Sequence, residues 1–209
     1  MRVVDLSLPV SNAMAGVNIR VAKTIEQDGW NASTLELYSH CGTHMDAPCH
    51  FVPGADSIEK QDLSTCVGRA RVLPLAPTVP SQLLTPADLR PFEQYVTAGS
   101  RLLFRTDWYK QFGTDQYRAG LPRISLSLAE WLVERRVALV GVEGPSVADV
   151  NNMQELTEVH QTLFNGGVLI VEGLAHLDEL TQSEVDFIAL PMKMPGIDGS
   201  PVRAIAIEN

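Results

Sequence analysis

The sequence predicts a single α/β domain in which strands outnumber helices. Short apolar runs of strand length recur along the whole chain, and only three segments carry signals that start or end a helix. No internal repeat, low-complexity tract or shift in composition divides the 209 residues. We therefore expect one domain over residues 1–209, a length sufficient to bury a core.

The strands are predicted from apolar patterning. Near the start, Val4, Leu6 and Leu8 alternate with polar residues, the period of two that is typical of a strand with one buried face. The segment Thr34–Ser39 alternates in the same way and leads directly to His40, which is therefore predicted to lie at a strand end. Further apolar runs of strand length lie at Arg69–Ala76, Arg101–Thr106, Val137–Val142, Val168–Glu172 and Val202–Ile207.

Two short helices are predicted from their first residues. Thr85 precedes Pro86, and proline is favoured at the first helical position. Ser127 and Glu130 have the spacing of a capping box, which predicts a second helix that starts at Ser127.

A third helix carries a histidine on its apolar face. Its stripe recurs at helical spacing, at Leu156, Val159, His160, Leu163 and Phe164. Asn165 and Gly166 end the helix, and the strand Val168–Glu172 then returns the chain to the layer on which the helix packs. His160 and Glu172 are therefore predicted to meet in space, although each alone is more typical of a core histidine and a surface carboxylate.

The composition excludes several kinds of partner. A net charge of -9 and a pI near 5.0 disfavour nucleic acid, which is generally bound by clustered Lys and Arg. No apolar run approaches the roughly 20 residues that cross a bilayer, and the N-terminal segment lacks the apolar stretch of a signal peptide. Three cysteines without disulfide-scaffold spacing fit a reducing compartment, so we expect a cytoplasmic protein without a membrane partner.

One short segment contains a cluster of residues that can bind a metal or transfer protons. Three of the five histidines lie between positions 40 and 50, together with Asp46. His40, His44, Asp46 and His50 all have even numbers, so on an extended chain they point to one side. A straight strand would nevertheless hold His40 and His44 about 13 Å apart, too far to share an ion.

The segment must therefore bend to form a site. Gly42 can adopt backbone angles that other residues disfavour, and the ring of Pro48 fixes its φ angle. The chain is therefore predicted to bend at both positions. This makes His40, His44 and Asp46 candidate metal ligands. Imidazole with carboxylate suits zinc or manganese, and such a set leaves positions open for water and substrate. The alternative is that these polar residues only decorate a turn.

The neighbouring thiols offer a different chemistry. Cys41 and Cys49 lie beside the histidines, where cysteine can act as an activated nucleophile or a zinc ligand. Their odd numbers place them on the opposite side of an extended segment, which favours a packing role. Two alternatives to a catalytic metal site stay open, namely a hydrolase that uses Cys41 or Cys49 as nucleophile and a metal-binding protein without catalysis.

The pattern His-x-Gly-Thr-His-x-Asp-x-Pro-x-His resembles the signature of the cyclase-like metal-dependent hydrolases, which include bacterial kynurenine formamidase and isatin hydrolase. The resemblance extends over nearly the whole chain, with further landmarks at Asp5-Leu6-Ser7, at Arg105–Trp108 and from Gly141 through His160 to Glu172. It implies a swivelling β/β/α fold, a homodimer or homotetramer, and one or two zinc or manganese ions per subunit.

The resemblance also implies roles for individual residues. His40, His44, Asp46 and Glu172 correspond to metal ligands, and His160 corresponds to a ligand of a second metal position. Asp46 and Glu172 then bridge two ions, as carboxylates with two oxygens do. His50 corresponds to the catalytic acid/base.

Two stretches depart from the family pattern. Many kynurenine formamidases carry an aromatic-Pro-Gly-Asp stretch soon after the first strand, where this chain reads Asn12-Ala13-Met14-Ala15-Gly16-Val17. Family members often have Asn after the glutamate, where this chain has Gly173. The first difference implies a different substrate pocket. The second removes a side chain expected to contact the metal ligand Glu172.

The resulting hypothesis is hydrolysis of an amide-type C–N bond, in an aryl formamide or cyclic amide, by water that the metal activates. His50 accepts the water proton and passes one to the leaving nitrogen, since imidazole titrates near neutral pH. Trp108 and Phe51 are candidates to stack on an aromatic substrate, with core packing as the alternative for each.

Overall fold

The computed structural model describes residues 1–209 and contains thirteen strands and six α-helices. The strands are β1 (Arg2–Asp5), β2 (Val17–Lys23), β3 (Ala32–Leu37), β4 (His44–Asp46), β5 (Val67–Pro74), β6 (Leu83–Leu84), β7 (Arg101–Arg105), β8 (Arg123–Ile124), β9 (Leu139–Val142), β10 (Leu169–Glu172), β11 (Glu184–Ile188), β12 (Gly199–Pro201) and β13 (Ile205–Glu208). The helices are α1 (Ile25–Asp28), α2 (Leu63–Cys66), α3 (Pro86–Leu89), α4 (Asp115–Ala119), α5 (Leu126–Glu134) and α6 (Met153–Asn165).

Nine strands form one mixed sheet in the order β1-β13-β11-β5-β7-β9-β10-β4-β12. The central strands β5, β7, β9 and β10 are parallel, and the outer strands pair antiparallel. Two small sheets, β2-β3 and β6-β8, lie apart from it. This arrangement confirms the strand-rich α/β class and the single domain that the sequence predicts.

The central strands are covered on both faces. Leu103 and Val171 belong to one buried apolar cluster, whereas their chain neighbours Phe104 and Ile170 belong to a second cluster on the other face. Helices α5 and α6 contribute side chains only to the second cluster. Burial on both faces explains why these strands appear in the sequence as continuous apolar runs rather than as an alternation.

Two sequence predictions are wrong in their details. The second helix is capped by Ser125, whose hydroxyl accepts a hydrogen bond from the Leu128 N–H, and Ser127 lies inside its first turn. The alternating segment 34–39 has no buried face, because it belongs to the exposed β2-β3 hairpin, where Leu35 is 59% exposed. The strand at that point ends at Leu37, three residues before His40.

Other boundaries agree with the predictions more closely. Helix α6 ends at Asn165, as predicted. The Asp88 carboxylate accepts hydrogen bonds from the Thr85 N–H and hydroxyl at the start of α3. None of the helices is both long enough and apolar enough to span a membrane.

Candidate metal centre

The pairing of β4 with β10 positions three of the candidate ligands. Strand β4 runs antiparallel to β10, which places His44 opposite Glu172 and Asp46 opposite Ile170. Met45, between the two ligand candidates, points into the apolar cluster on the far face of the sheet. Because side chains alternate along a strand, His44, Asp46 and Glu172 all point to the face that α6 covers. All three side chains are buried.

Helix α6 brings His160 down onto these carboxylates. His160 Nε2 lies 3.6 Å from Asp46 Oδ2 and 3.5 Å from Glu172 Oε1. On the other side, His44 Nε2 lies 3.4 Å from Asp46 Oδ1 and 3.2 Å from Glu172 Oε2. The helix and strand therefore deliver His160 and Glu172 to one place, as their sequence pattern predicts.

Both predicted bends of the motif are present. Gly42 has a φ of 62°, in the left-handed region, and Pro48 opens a short 3-10 turn that ends at His50. The first bend returns His40 to the cluster, where its Nδ1 lies 2.7 Å from Asp46 Oδ1. The second bend stacks the His50 ring on that of His40, with ring centroids 3.9 Å apart.

The donor atoms of the inner group fit a metal ion. The Nδ1–H of His44 donates to the Gly42 carbonyl at 3.0 Å, and the Nδ1–H of His160 donates to the Leu156 carbonyl at 2.7 Å. These bonds leave each Nε2 as the nitrogen with a free lone pair. His44 Nε2 and Asp46 Oδ2 are buried and have no hydrogen-bond partner within the protein. Buried polar atoms without partners are rare, and a divalent cation would satisfy both.

The site holds an unusual concentration of charge. Burial opposes protonation of His40, yet its contacts with Asp46 and Asp198 raise its pKa to about 9. Burial opposes protonation of His160 as well, and Asp46 and Glu172 raise its pKa to about 10. Burial would raise the pKa of Asp46, but His160 and His40 hold it well below its usual range. Without an ion, protons on the histidines therefore balance the carboxylates.

His50 differs from the other three histidines. Burial lowers its pKa, and the positive charges of His40 and His160 act in the same direction against the attraction of Asp46. Its ring is a quarter exposed, whereas those of His44 and His160 are almost fully buried. His50 is thus the histidine of this group that favours the neutral form and reaches the solvent.

A cavity of about 420 Å³ opens above the cluster. Its wall includes Phe51, Tyr38 and Leu156 together with the five site residues His40, His44, His50, His160 and Glu172. Phe51 stacks on the His160 ring with centroids 4.3 Å apart. Trp108, the other predicted aromatic contact, does not line this cavity. It is buried, its Nε1–H donates to the Tyr117 carbonyl, and it borders a separate crevice beside Thr78.

The cysteines lie outside the cavity wall. Cys41 is buried, and the Cys49 thiol donates weakly to the Ile197 carbonyl at 3.7 Å. Burial raises the pKa of both thiols, and the negative charge of Asp198 adds to this effect at Cys49. A thiol is nucleophilic as the thiolate, so this environment opposes the role of nucleophile.

One residue at the site was missed by the sequence analysis. Asp198 Oδ2 lies 3.0 Å from His40 Nε2 and 3.4 Å from His50 Nδ1, although it is 158 positions beyond His40 in the chain. It precedes β12, an edge strand that pairs with β4. No periodicity or local motif marks this aspartate, and only the strand pairing brings it to the histidines.

The chain is similar to known proteins over most of its length. The family described as "Putative cyclase" matches residues 4–149. Kynurenine formamidase of Bacillus cereus is 30% identical over 209 residues, covering 97% of this chain and 95% of its own length. The corresponding enzyme of Bacillus cytotoxicus is 31% identical over 210 residues, with the same coverage.

Solved structures give the same result for the fold. Isatin hydrolase A from Ralstonia solanacearum superposes with a TM-score of 0.83 at 26% identity, over 98% of this chain and 91% of its own. A potential metal-dependent hydrolase with cyclase activity superposes with a TM-score of 0.80 over 100% of this chain and 99% of its own. At 24% identity, this second match is informative about the fold alone.

Proposed function

Because the chain belongs to the cyclase family and is a hydrolase, we propose that it cleaves an amide-type C–N bond in an aryl formamide or a cyclic amide. The observation that carries the proposal is the convergence of His44, His160, Asp46 and Glu172 beneath an open cavity, with two of their buried atoms unpartnered. The relatives include kynurenine formamidases and an isatin hydrolase, and their names refer to hydrolysis of a formamide and of isatin.

The proposed ligands are His40, His44, Asp46, Glu172 and His160, and the proposed metal is zinc or manganese, as one or two ions. Two overlapping groups of donor atoms support a site for one or two ions. One group consists of His44, Asp46 and Glu172, and the other consists of His40, His50 and the same Asp46. A bound divalent ion supplies Lewis acidity, which lowers the pKa of water and polarises a carbonyl.

The protein's own residues are assigned the remaining tasks. His50 accepts a proton from the attacking water and delivers one to the leaving nitrogen, a role supported by its position on the cavity wall beside the ligands. Phe51 and Tyr38 form the aromatic wall against which a ring can lie. Phe51 already covers one face of His160, so it shields that ligand from water as well.

We further propose a homodimer or homotetramer in the cytoplasm. The β2-β3 hairpin and the loop between these strands expose large apolar side chains, with Val21 at 73% and Trp30 at 58%. An exposed group of this kind is typical of a protein interface. The three cysteines are free thiols, which suits a reducing compartment. Sedimentation or light scattering measures the assembly, and a monomer at all concentrations would refute it.

The experiment that tests the function is a panel of formamides, cyclic amides and lactones, assayed with added zinc or manganese. We expect hydrolysis of at least one amide, loss of this activity on treatment with a chelator, and recovery when the metal returns. A protein that binds the metal but turns over no compound of the panel would support the non-catalytic alternative. Activity that survives removal of the metal would contradict the proposal.

Substitution of His50 separates binding from chemistry. We expect His50→Ala to keep its metal and to lose about a hundred- to ten-thousand-fold in rate, because a general acid/base is removed. His44→Ala and Asp46→Ala should instead lose metal. Metal content by elemental analysis and kcat on the best amide measure the two effects.

The matched control for His50→Ala is Cys49→Ala, one residue away and outside the cavity wall. This variant and Cys41→Ala should retain most activity, since neither thiol is assigned a bond to substrate. If a cysteine variant were inactive with full metal while His50→Ala still turned over, the thiol mechanism would replace the one proposed.

A further inference from the structure

Asp198 lies between two histidines that have different assigned roles. Its Oδ2 is 3.0 Å from the Nε2 of His40, a proposed metal ligand, and 3.4 Å from the Nδ1 of His50, the proposed acid/base. It contacts His40 through Nε2, whereas Asp46 contacts the other ring nitrogen, Nδ1, at 2.7 Å. One carboxylate oxygen thus faces both rings from the side away from the cluster.

The surroundings hold this carboxylate in place. The Ser39 hydroxyl donates to the other oxygen, Oδ1, at 3.0 Å, which turns Oδ2 toward the histidines. The Asp198 carbonyl accepts from the Ala47 N–H at 2.9 Å, and the carbonyl of the preceding Ile197 accepts from the Ile58 N–H at 3.0 Å. The side chain is 43% exposed, but the backbone at Ile197 and Asp198 is tied to the motif segment at Ala47 and to the short 3-10 turn that begins at Ile58.

The residue after Asp198 is fitted to the His40 ring. A Cβ atom added to Gly199 would lie 2.7 Å from His40 Cε1 and 3.1 Å from its Nε2. Gly199 pairs with Asp46 across β12 and β4, so it cannot move away without breaking the sheet. Asp198 and Gly199 together therefore form one wall of the His40 site, the first by a hydrogen bond and the second by leaving room for the ring.

We propose that Asp198 is a positioning residue that orients both histidines, an inference that rests on the metal and acid/base roles proposed above. It accepts the Nε2–H of His40 and so presents Nδ1, on the Asp46 side, as the metal-binding nitrogen. A metal-ligating histidine commonly donates its other N–H to a carboxylate in this way. The same oxygen faces Nδ1 of His50, which leaves Nε2 as the nitrogen that exchanges a proton with the substrate.

Three variants test this role. Asp198→Ala removes the acceptor, Asp198→Asn keeps an acceptor oxygen of the same shape, and Asp186→Ala is the control. Asp186 has a side chain of comparable exposure, 37%, and pairs with Arg69 on β5, away from the site. The measurements are the dissociation constant for Mn²⁺ in the absence of substrate, then kcat and KM at saturating Mn²⁺ on an amide that the native protein hydrolyses.

We expect Asp198→Ala to bind Mn²⁺ about 10- to 100-fold more weakly, the usual cost of losing an outer partner of a metal ligand. At saturating Mn²⁺ its kcat should remain lowered with little change in KM, because His50 has lost its anchor while the cavity is intact. Asp198→Asn should recover most of the Mn²⁺ affinity, and Asp186→Ala should match the native protein in all three constants.

Two results would overturn the inference. The first is native Mn²⁺ affinity and kcat in Asp198→Ala, which would make Asp198 an ordinary surface carboxylate. The second is an Asp198→Asn variant as defective in Mn²⁺ binding as Asp198→Ala, since hydrogen-bond acceptance would then not be the cause. The Mn²⁺ titration needs no substrate, so it decides the matter even if the proposed amide hydrolysis fails its own test.

Discussion

Two buried glutamates occupy neighbouring strand ends and have opposite electrostatic surroundings. Glu172 is the last residue of β10, and Glu143 follows the last residue of β9, its parallel neighbour in the sheet. Both are almost completely buried, at 3% and 0% exposure. Their depth and position are therefore similar, and the partners around them differ.

Glu172 is surrounded by histidines. Burial and the charge of Asp46 would raise its pKa, but contacts with His160 and His44 lower it below its usual value. The Val147 N–H also donates to Glu172 Oε1 at 2.7 Å. This carboxylate is therefore held ionised, in the form that binds a metal.

Glu143 has only neutral donors. Its Oε2 accepts from the Thr106 N–H at 2.7 Å, the Thr106 hydroxyl at 3.0 Å and the Trp108 N–H at 3.2 Å, while Oε1 has no partner. Burial raises its pKa to about 7 despite these bonds, and the nearby charge of Asp107 acts in the same direction. Glu143 holds the loop after β7 through these hydrogen bonds. The two carboxylates are similarly buried, so it is the histidine partners of Glu172, the proposed metal ligand, that lower its pKa.

The largest difference between the two should appear in metal binding. We expect Glu172→Ala to weaken metal binding by more than the loss of an outer partner of a ligand does, which is about 10- to 100-fold. Its activity should fall together with its metal content. Glu143→Gln should keep native metal content, because its carboxyl contacts only the loop. Elemental analysis of both variants gives the result, and equal loss in the two would abolish the distinction.

A second difference should appear in the dependence of stability on pH. Between about pH 4.5, where the glutamate of the unfolded chain ionises, and pH 7, folded Glu143 retains a proton that the unfolded chain has released. The free energy of unfolding therefore falls as the pH rises through this window, by up to about 1.4 kcal/mol per pH unit from this group. Glu143→Gln should remove that slope.

Urea unfolding at pH 5 and pH 8 measures this effect as the difference between the variant and the native protein. Relative to the native protein, Glu143→Gln should gain roughly 3 kcal/mol between the two pH values. Glu134→Gln, an exposed glutamate at the end of α5, is the control and should show no such gain. A slope unchanged by Glu143→Gln would mean that Glu143 is ionised throughout.

The smallest effect is expected from Thr106→Val, which removes one donor to Glu143 and keeps the backbone N–H. The loss should be about 1 kcal/mol at pH 8, where the carboxylate accepts the hydroxyl bond, and smaller at pH 5. Urea unfolding at the two pH values tests it, with metal content unchanged. An equal loss at both would indicate that the hydroxyl stabilises the loop independently of the charge on Glu143.

The two glutamates also show how far sequence reasoning extends. The sequence pattern predicts that Glu172 meets His160, because Glu172 ends an apolar strand that follows the helix bearing His160, while its role as a metal ligand is implied by the family resemblance. The motif from His40 to His50 is local and can be identified directly in the sequence. Glu143 carries no such signal, since it follows an equally apolar strand and its partners at Thr106 and Trp108 lie more than 30 positions away. The contacts of Asp198 are more distant still and depend on how β4 pairs with β12.

Local patterns also failed where the tertiary setting decides the outcome. The alternation of residues 34–39 has the correct period for a strand but does not reveal that the hairpin packs on no core. Ser125 and Ser127 are both acceptable helix caps, and the chain starts the helix at the one whose hydroxyl reaches the Leu128 N–H. The central parallel strands were predicted well because burial on both faces leaves a continuous apolar run.

The two ends of the nine-stranded sheet limit how copies of this protein can associate. At one end β12 has three residues and includes Pro201, which has no N–H to donate, and at the other β1 has four residues and carries Arg2 and Asp5. Short edge strands with proline or charge disfavour the addition of a strand from another molecule. Fibril growth by continuation of the nine-stranded sheet is therefore disfavoured at both ends.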